Sequence, residues 1–182
     1  RLYEIAAQHG IFCKKTGKLI VACANDERAK LESLLMQGLS NGVEPLDIVE
    51  GNTLKKIAGR GVNALAALWS PQTGIIDSEE LMGYYLGQAQ DRGAIFLWGS
   101  ELLGAERRGN LYHLRISGQE EPLPTRCLIN AAGLGADKVA QLIGLDCDTI
   151  GYRIHWFKGE YFSLRQALEI TSLIYPIPGK EG

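Results

Sequence analysis

Long apolar runs are missing from this chain: no stretch approaches the roughly 20 residues that a helix needs to cross a bilayer, although 46% of its 182 residues are hydrophobic. An excess of charge of one sign is missing too. Nineteen basic and 21 acidic side chains leave a net charge of -2 and a pI near 6.0, so there is no positive field to hold a nucleic acid, and Arg107-Arg108 reads as a solvated turn. The four cysteines, Cys13, Cys23, Cys127 and Cys147, form no CxxC pair and have no histidine at metal-ligand spacing. That pattern argues against a zinc site or a disulfide frame and leaves them as small buried hydrophobes. No signal peptide opens the chain, and the expected location is the cytoplasm.

What is present is ordinary for a folded protein of this size, with 22% charged residues and enough apolar side chains for a sizeable core. The most informative stretch runs from Cys127 to Gly144. Cys127, Leu128 and Ile129 form a short apolar run suited to a strand buried on both faces, and Val139, Ala140, Leu142 and Ile143 recur at helical spacing. Between them, Asn130-Ala131-Ala132-Gly133-Leu134-Gly135 is a turn of small side chains at the mouth of a helix. Such a turn lets backbone approach a ligand and offers unpaired N–H groups to a phosphate or the edge of a cofactor ring. Close packing alone accounts for the same residues equally well.

The rest of the chain gives a mixed α/β (α+β) pattern. Leu2 to Gly10 reads as a helix stopped by Gly10, and Ile11 to Lys15 with Lys18 to Ala22 reads as a hairpin around Thr16-Gly17. Asn25-Asp26-Glu27 opens a helix with a Leu31, Leu34, Leu35, Leu39 stripe that ends at Asn41-Gly42, and Leu46 to Val49 is a brief strand. Asn52 or Thr53 caps a short helix through Ile57, and Asp77 with Glu80 has capping-box spacing for a helix to about Arg92. Ala94 to Trp98 is an apolar strand, and Leu102 to Arg107 pairs with Leu111 to Ser117 around Gly109-Asn110. The alternation from Ile150 to Leu164 predicts a long aromatic strand, and Leu173 to Ile177 a further one with Pro176 at an edge or bend.

NAAGLGAD at 130 to 137, GKLIVA at 17 to 22, SPQTGIIDSEELM at 70 to 82, and HWFKGEYFSL with LIYPIPG at 155 to 179 occur in an order and spacing that resembles the D-amino-acid oxidase superfamily of FAD-dependent oxidoreductases. Within it the strings are most similar to the L-2-hydroxyglutarate oxidase/dehydrogenase branch. The sequence departs from that branch at Gly59-Arg60-Gly61-Val62, where a Glu-Pro pair is usual.

The resemblance implies the central part of a two-domain flavoprotein: a substrate-domain segment at 1–74, an FAD-domain segment at 75–149, and substrate-domain strands at 150–182. It implies FAD as cofactor, held by backbone of Leu102 at the adenine and by Ala131, Ala132, Gly133 and Leu134. The GxGxxG fingerprint and the ribose-binding acid are expected upstream of Arg1, so FAD binding by this piece alone is expected to be weak or absent. Hydride transfer from the carbinol carbon of a 2-hydroxy acid to the flavin is the implied chemistry, with oxygen or a quinone as electron acceptor and, for a quinone, peripheral membrane association. The main base is expected beyond Gly182.

Tyr175, Lys158 and His155 are the candidates for substrate contact. Tyr175 offers a hydroxyl and a wall, Lys158 a charge for a carboxylate, and His155 a flavin-facing imidazole, although His155 also suits a structural role and Lys158 a solvated one. Amine oxidation of the glycine or sarcosine kind, or a non-catalytic interaction module that keeps the fold, are the alternative functions.

Overall fold

Alternation along Lys18–Ala22 decides the main sheet. In the computed structural model, which describes residues 1–59, 61–165 and 169–179, Leu19 and Val21 point to one face of this strand and Ile20 and Ala22 to the other. The chain divides into two compact units, Arg1–Ala94 with Leu164–Gly182, and Ile95–Ser163.

In the first unit helix α1 (Leu2–His9) ends at Gly10, whose φ of 68° is the left-handed conformation that glycine adopts without strain. Strands β1 (Cys13–Lys15) and β2 (Lys18–Ala22) follow, then a 3-10 turn (Asn25–Glu27), α2 (Arg28–Ser40), β3 (Asp47–Glu50), α3 (Gly51–Ala58), β4 (Ala66–Ser70), β5 (Gly74–Ile76) and α4 (Ser78–Asp91). The sheet has the order β3-β4-β2-β9, with β9 (Leu173–Pro176) parallel to β2 and the other pairs antiparallel. Leu19, Val49 and Ala67 pack with Leu54 and Ala58 of α3 on one face. Ala22, Ala66 and Leu68 pack with Leu31 of α2 on the other.

The expected hairpin around Thr16-Gly17 does not form. Strand β1 pairs with β5, and β2 pairs with β4 and β9. The Gly17 amide donates to Thr73 O at 2.8 Å, and a Cβ on Gly17 would fall within the Trp69 ring. The chain therefore crosses between two sheets at Gly17 instead of turning back.

Capping also differs from expectation. Helix α3 starts directly after Glu50 with no side-chain cap, so neither Asn52 nor Thr53 serves as one. Asp77 does cap α4, accepting from the Glu79 and Glu80 amides at 2.9 and 3.0 Å. Glu80 does not close the box: its Oε2 accepts the Phe12 amide at 2.6 Å and so ties α4 to the start of β1.

The second unit carries β6 (Leu102–Arg108), β7 (Leu111–Ile116) and β8 (Leu123–Thr125) as an antiparallel meander, then a 3-10 turn (Gly133–Gly135) and α5 (Ala136–Leu142), which packs on β6. Three expected strands are absent. Ala94 to Trp98, Cys127 to Ile129 and Ile150 to Leu164 run without ladder partners, and Ile129 is 82% exposed. An apolar run becomes a strand only where another backbone meets its N–H and C=O groups, and among the described residues none lies beside these three. The cysteines are corrected as well: only Cys147 is buried, Cys13 is half-buried, and Cys23 and Cys127 are exposed. Arg60, in the Gly59–Val62 departure, lies outside the described residues.

Candidate cofactor turn and substrate strand

Asn130 closes the turn at Asn130–Gly135 from within. Asn130 Nδ2 donates to Ala136 O at 2.7 Å, and Asn130 Oδ1 accepts the Ala132 amide at 3.3 Å. A single asparagine thus bridges both ends of the turn and leaves the backbone between them exposed. Gly133 has φ 54°, and a Cβ there would meet nothing within 4 Å. The Gly133 and Leu134 amides donate to no described acceptor. Ala131, Ala132, Gly133 and Leu134 are all exposed.

An open face of small residues with unpaired donors, at the start of a helix, fits the edge of a flavin or a phosphate. The residues present therefore suit the cofactor that the motif suggests. Leu102 opens β6 in the same unit, half-buried and paired with Ile116, and a register shift follows it before Gly104. That irregularity frees part of the backbone at the start of the strand.

Behind the turn stands a buried acid that the motif reading left without a role. Asp137 is 7% exposed, and its Oδ2 accepts the Ile154 amide at 3.4 Å and lies 3.6 Å from the Arg153 guanidinium. Arg153 also grips Asp148 with two nitrogens. That hydrogen-bonded pair raises the Arg153 pKa and lowers the Asp148 carboxyl below its ordinary value. Trp156 Nε1 donates to Leu134 O at 3.2 Å, and Lys138 Nζ lies 5.6 Å from the Trp156 ring. These contacts pin Arg153–Trp156 against the exposed turn. The contacts made by Asp137 and by Leu134 span 16 to 22 positions of sequence, so no local pattern announces them; an acid in the first turn of α5 was the only signal.

His155 lies within this pinned segment and its side chain is exposed. Lys158 is 83% exposed and pairs with Glu160 at 2.8 Å, which is the arrangement of a solvated lysine. Tyr175 belongs to the first unit, on edge strand β9 in register with Ile20, and is 50% exposed. Its hydroxyl has no described hydrogen-bond partner. Lys18 Nζ lies 5.8 Å from its ring centroid. Among the described residues no group of three or more His, Cys, Asp and Glu side chains is arranged to hold a metal ion.

The model of one protein family, described as FAD dependent oxidoreductase, matches residues 1–181. This chain belongs to the FAD dependent oxidoreductase family. Among relatives in that family, the mitochondrial L-2-hydroxyglutarate dehydrogenase of Homo sapiens is 31% identical over 97% of this chain and 40% of its own length. The L-2-hydroxyglutarate dehydrogenase of Indibacter alkaliphilus is 30% identical over 97% and 44%. The chain thus spans about two fifths of the curated relatives it matches.

Solved structures agree on the fold. An L-α-glycerophosphate oxidase from Mycoplasma pneumoniae with FAD bound superposes with a TM-score of 0.75 at 19% identity, covering 92% of this chain and 44% of that one. An L-proline dehydrogenase from P. horikoshii gives 0.69 at 20% identity, covering 79% and 38%. A glycine oxidase from Bacillus cereus gives 0.60 at 17% identity, covering 76% and 39%. FAD is the cofactor of this family.

Proposed function

We propose that the protein oxidises a small 2-hydroxy acid, L-2-hydroxyglutarate to 2-oxoglutarate, with FAD as the electron acceptor within the enzyme. The observation that carries this is the identity of about 30% over 97% of the chain to proteins named L-2-hydroxyglutarate dehydrogenase. When bound, FAD supplies the two-electron acceptor that a side chain cannot. The assigned work of the protein is placement.

In this reading Leu102 and the Ala131–Leu134 backbone hold the cofactor, and the Asp137, Arg153 and Trp156 contacts keep that backbone in place. The Tyr175 hydroxyl donates to the substrate, and its ring walls the site against water. Lys158 ranks below it because its charge is already matched by Glu160, and His155 ranks below it because it has no described partner that would orient the imidazole. The base that takes the carbinol proton is not assigned to any residue here. Oxygen or a quinone is the proposed final acceptor, the quinone route carrying peripheral membrane association with it, and the segments 1–74, 75–149 and 150–182 are proposed to serve substrate, FAD and substrate in turn.

The test is anaerobic reduction of the flavin-loaded protein. Bleaching of the flavin bands by L-2-hydroxyglutarate at least a hundredfold faster than by glycine or sarcosine is expected. The reverse order moves the protein to the amine oxidases, and a full-length protein that stays colourless after added FAD makes it a non-catalytic module.

A further inference from the structure

Two polar side chains of the first unit meet on one face of the main sheet. Lys18 is half-buried at the start of β2, and no described acid pairs with it. Its ammonium stands 5.8 Å from the ring of Tyr175, whose hydroxyl is likewise without a described partner. The register explains the meeting: Lys18 pairs with Leu173 and Ile20 with Tyr175 on the parallel neighbour, so Lys18 and Tyr175 lie two residues apart on one face of the sheet. On that face Lys18 also borders a cleft of about 240 Å³, with Ser70 and Thr73 beside it and Ile20, Leu34 and Leu68 as its apolar part. The Ser70 and Thr73 hydroxyls bond to each other at 2.9 Å, and among the described residues the Lys18 ammonium is the one charge that lines the cleft.

A half-buried lysine that lies by an aromatic ring and has no described carboxylate partner keeps its ammonium available to an anion. A ligand carboxylate placed between the ammonium and the phenol would accept from both in charge-assisted bonds. The apolar part of the cleft suits the methylene groups that carry such a carboxylate.

We infer that Lys18 and Tyr175 together bind the carboxylate of the substrate remote from the carbinol carbon, and that Lys18 makes the enzyme select 2-hydroxy dicarboxylates over 2-hydroxy monocarboxylates. The inference rests on the hydroxy-acid reading above and adds to it the residue that sets the substrate class.

The experiment compares two five-carbon substrates, L-2-hydroxyglutarate and L-2-hydroxyvalerate, which differ in the second carboxylate. In the flavin-loaded protein, Lys18→Met is expected to lower kcat/KM for the dicarboxylate about 10- to 100-fold and for the monocarboxylate less than about threefold, because one charge-assisted bond is lost on one substrate alone. Lys18→Arg should recover part of the preference. A second reading uses no turnover: titration of the flavin absorbance with 2-oxoglutarate and with 2-oxovalerate should show the same selective weakening in Lys18→Met.

Equal losses on both substrates, or an unchanged ratio between them, overturn the assignment. So does a wild-type protein that reduces its flavin with both acids equally well. A wild-type protein that reduces its flavin with neither acid overturns the hydroxy-acid reading and this inference with it, whereas the other outcomes leave that reading standing.

Discussion

The two units carry similar proportions of apolar sequence and put it to different use. In Arg1–Ala94 with Leu164–Gly182, the strands β2, β3 and β4 find backbone partners, and their alternating side chains are closed off by α2 and α3, so Leu19, Leu31 and Ala67 are fully buried. In Ile95–Ser163, the runs around Phe96, Leu128 and Phe157 find no ladder among the described residues, and the buried side chains are Leu114, Cys147 and the acid Asp137. Hydrophobicity supplies the driving force in both. Only hydrogen-bonded neighbours turn it into a layer; the second unit has them in its β6-β7-β8 meander, and beyond it the chain is held by polar contacts of Asn130, Asp137 and Arg153.

Truncating one apolar side chain in each unit probes this difference most strongly. Leu19→Ala or Leu31→Ala should destabilise the first unit by about 2 to 5 kcal/mol through lost burial and the cavity left behind. Ile129→Ala in the second should stay within about 0.5 kcal/mol, since an exposed side chain loses no packing. Denaturant unfolding followed by hydrogen exchange in each unit measures both. A large loss at Ile129 would show that its surface is covered in solution and would remove the contrast.

Glycine substitutions give the next largest effect and separate crowding from open space. Gly17 has φ 69° with the Trp69 ring where a Cβ would stand, whereas Gly133 has φ 54° with nothing in reach. Gly17→Ala should cost about 2 to 4 kcal/mol from backbone strain and overpacking together. Gly133→Ala should cost about 1 to 2 kcal/mol from the backbone alone. In the flavin-loaded protein Gly133→Val should deplete bound flavin more than it lowers the melting temperature; full flavin content in that variant would leave the turn a packing feature.

Much of the first unit can be read along the chain because its signals are local. The alternation in Lys18–Ala22, the Leu31 stripe and the Asp77 cap each lie within one element, and each appears in the structure. Pairing is not local. Thr16-Gly17 looks like a hairpin turn, yet Thr73 and Leu173 supply the backbone partners of Gly17, and no neighbouring residue could announce them. At the candidate cofactor turn, the small residues from Ala131 to Gly135 were legible because glycine and alanine carry their reason in their size. The contacts of Asp137, Trp156 and Lys18 were not, because chain folding brings their partners to them from a distance.

A smaller effect tests the helix cap that the chain itself announces. Asp77→Ala removes the acceptor of the Glu79 and Glu80 amides and should cost about 1 kcal/mol, read as lower exchange protection at the start of α4. Asp77→Asn keeps an acceptor oxygen and should recover most of it.

The smallest effect concerns pH and belongs to the polar ordering of the second unit. Hydrogen bonds from Arg153 hold the Asp148 carboxyl below its ordinary pKa, and the nearby Asp146 is lowered chiefly by the Thr149 hydroxyl. A carboxyl with a lowered folded-state pKa contributes stability that is fully present above its unfolded value, near 4, and is lost as the pH falls through the folded one. Acidification should therefore release Arg153 from Asp148 only at pH values below the ordinary aspartate range. The Asp137 contacts to Arg153 and the Ile154 amide give the segment a second anchor, so Asp148→Asn should abolish the acid transition seen by NMR at the Arg153 Nε–H while leaving the Trp156 indole signal in place at neutral pH. If the indole signal shifts to its solvent-exposed position in Asp148→Asn, then Asp148 rather than Asp137 pins the segment to the turn, and the buried acid is a packing group.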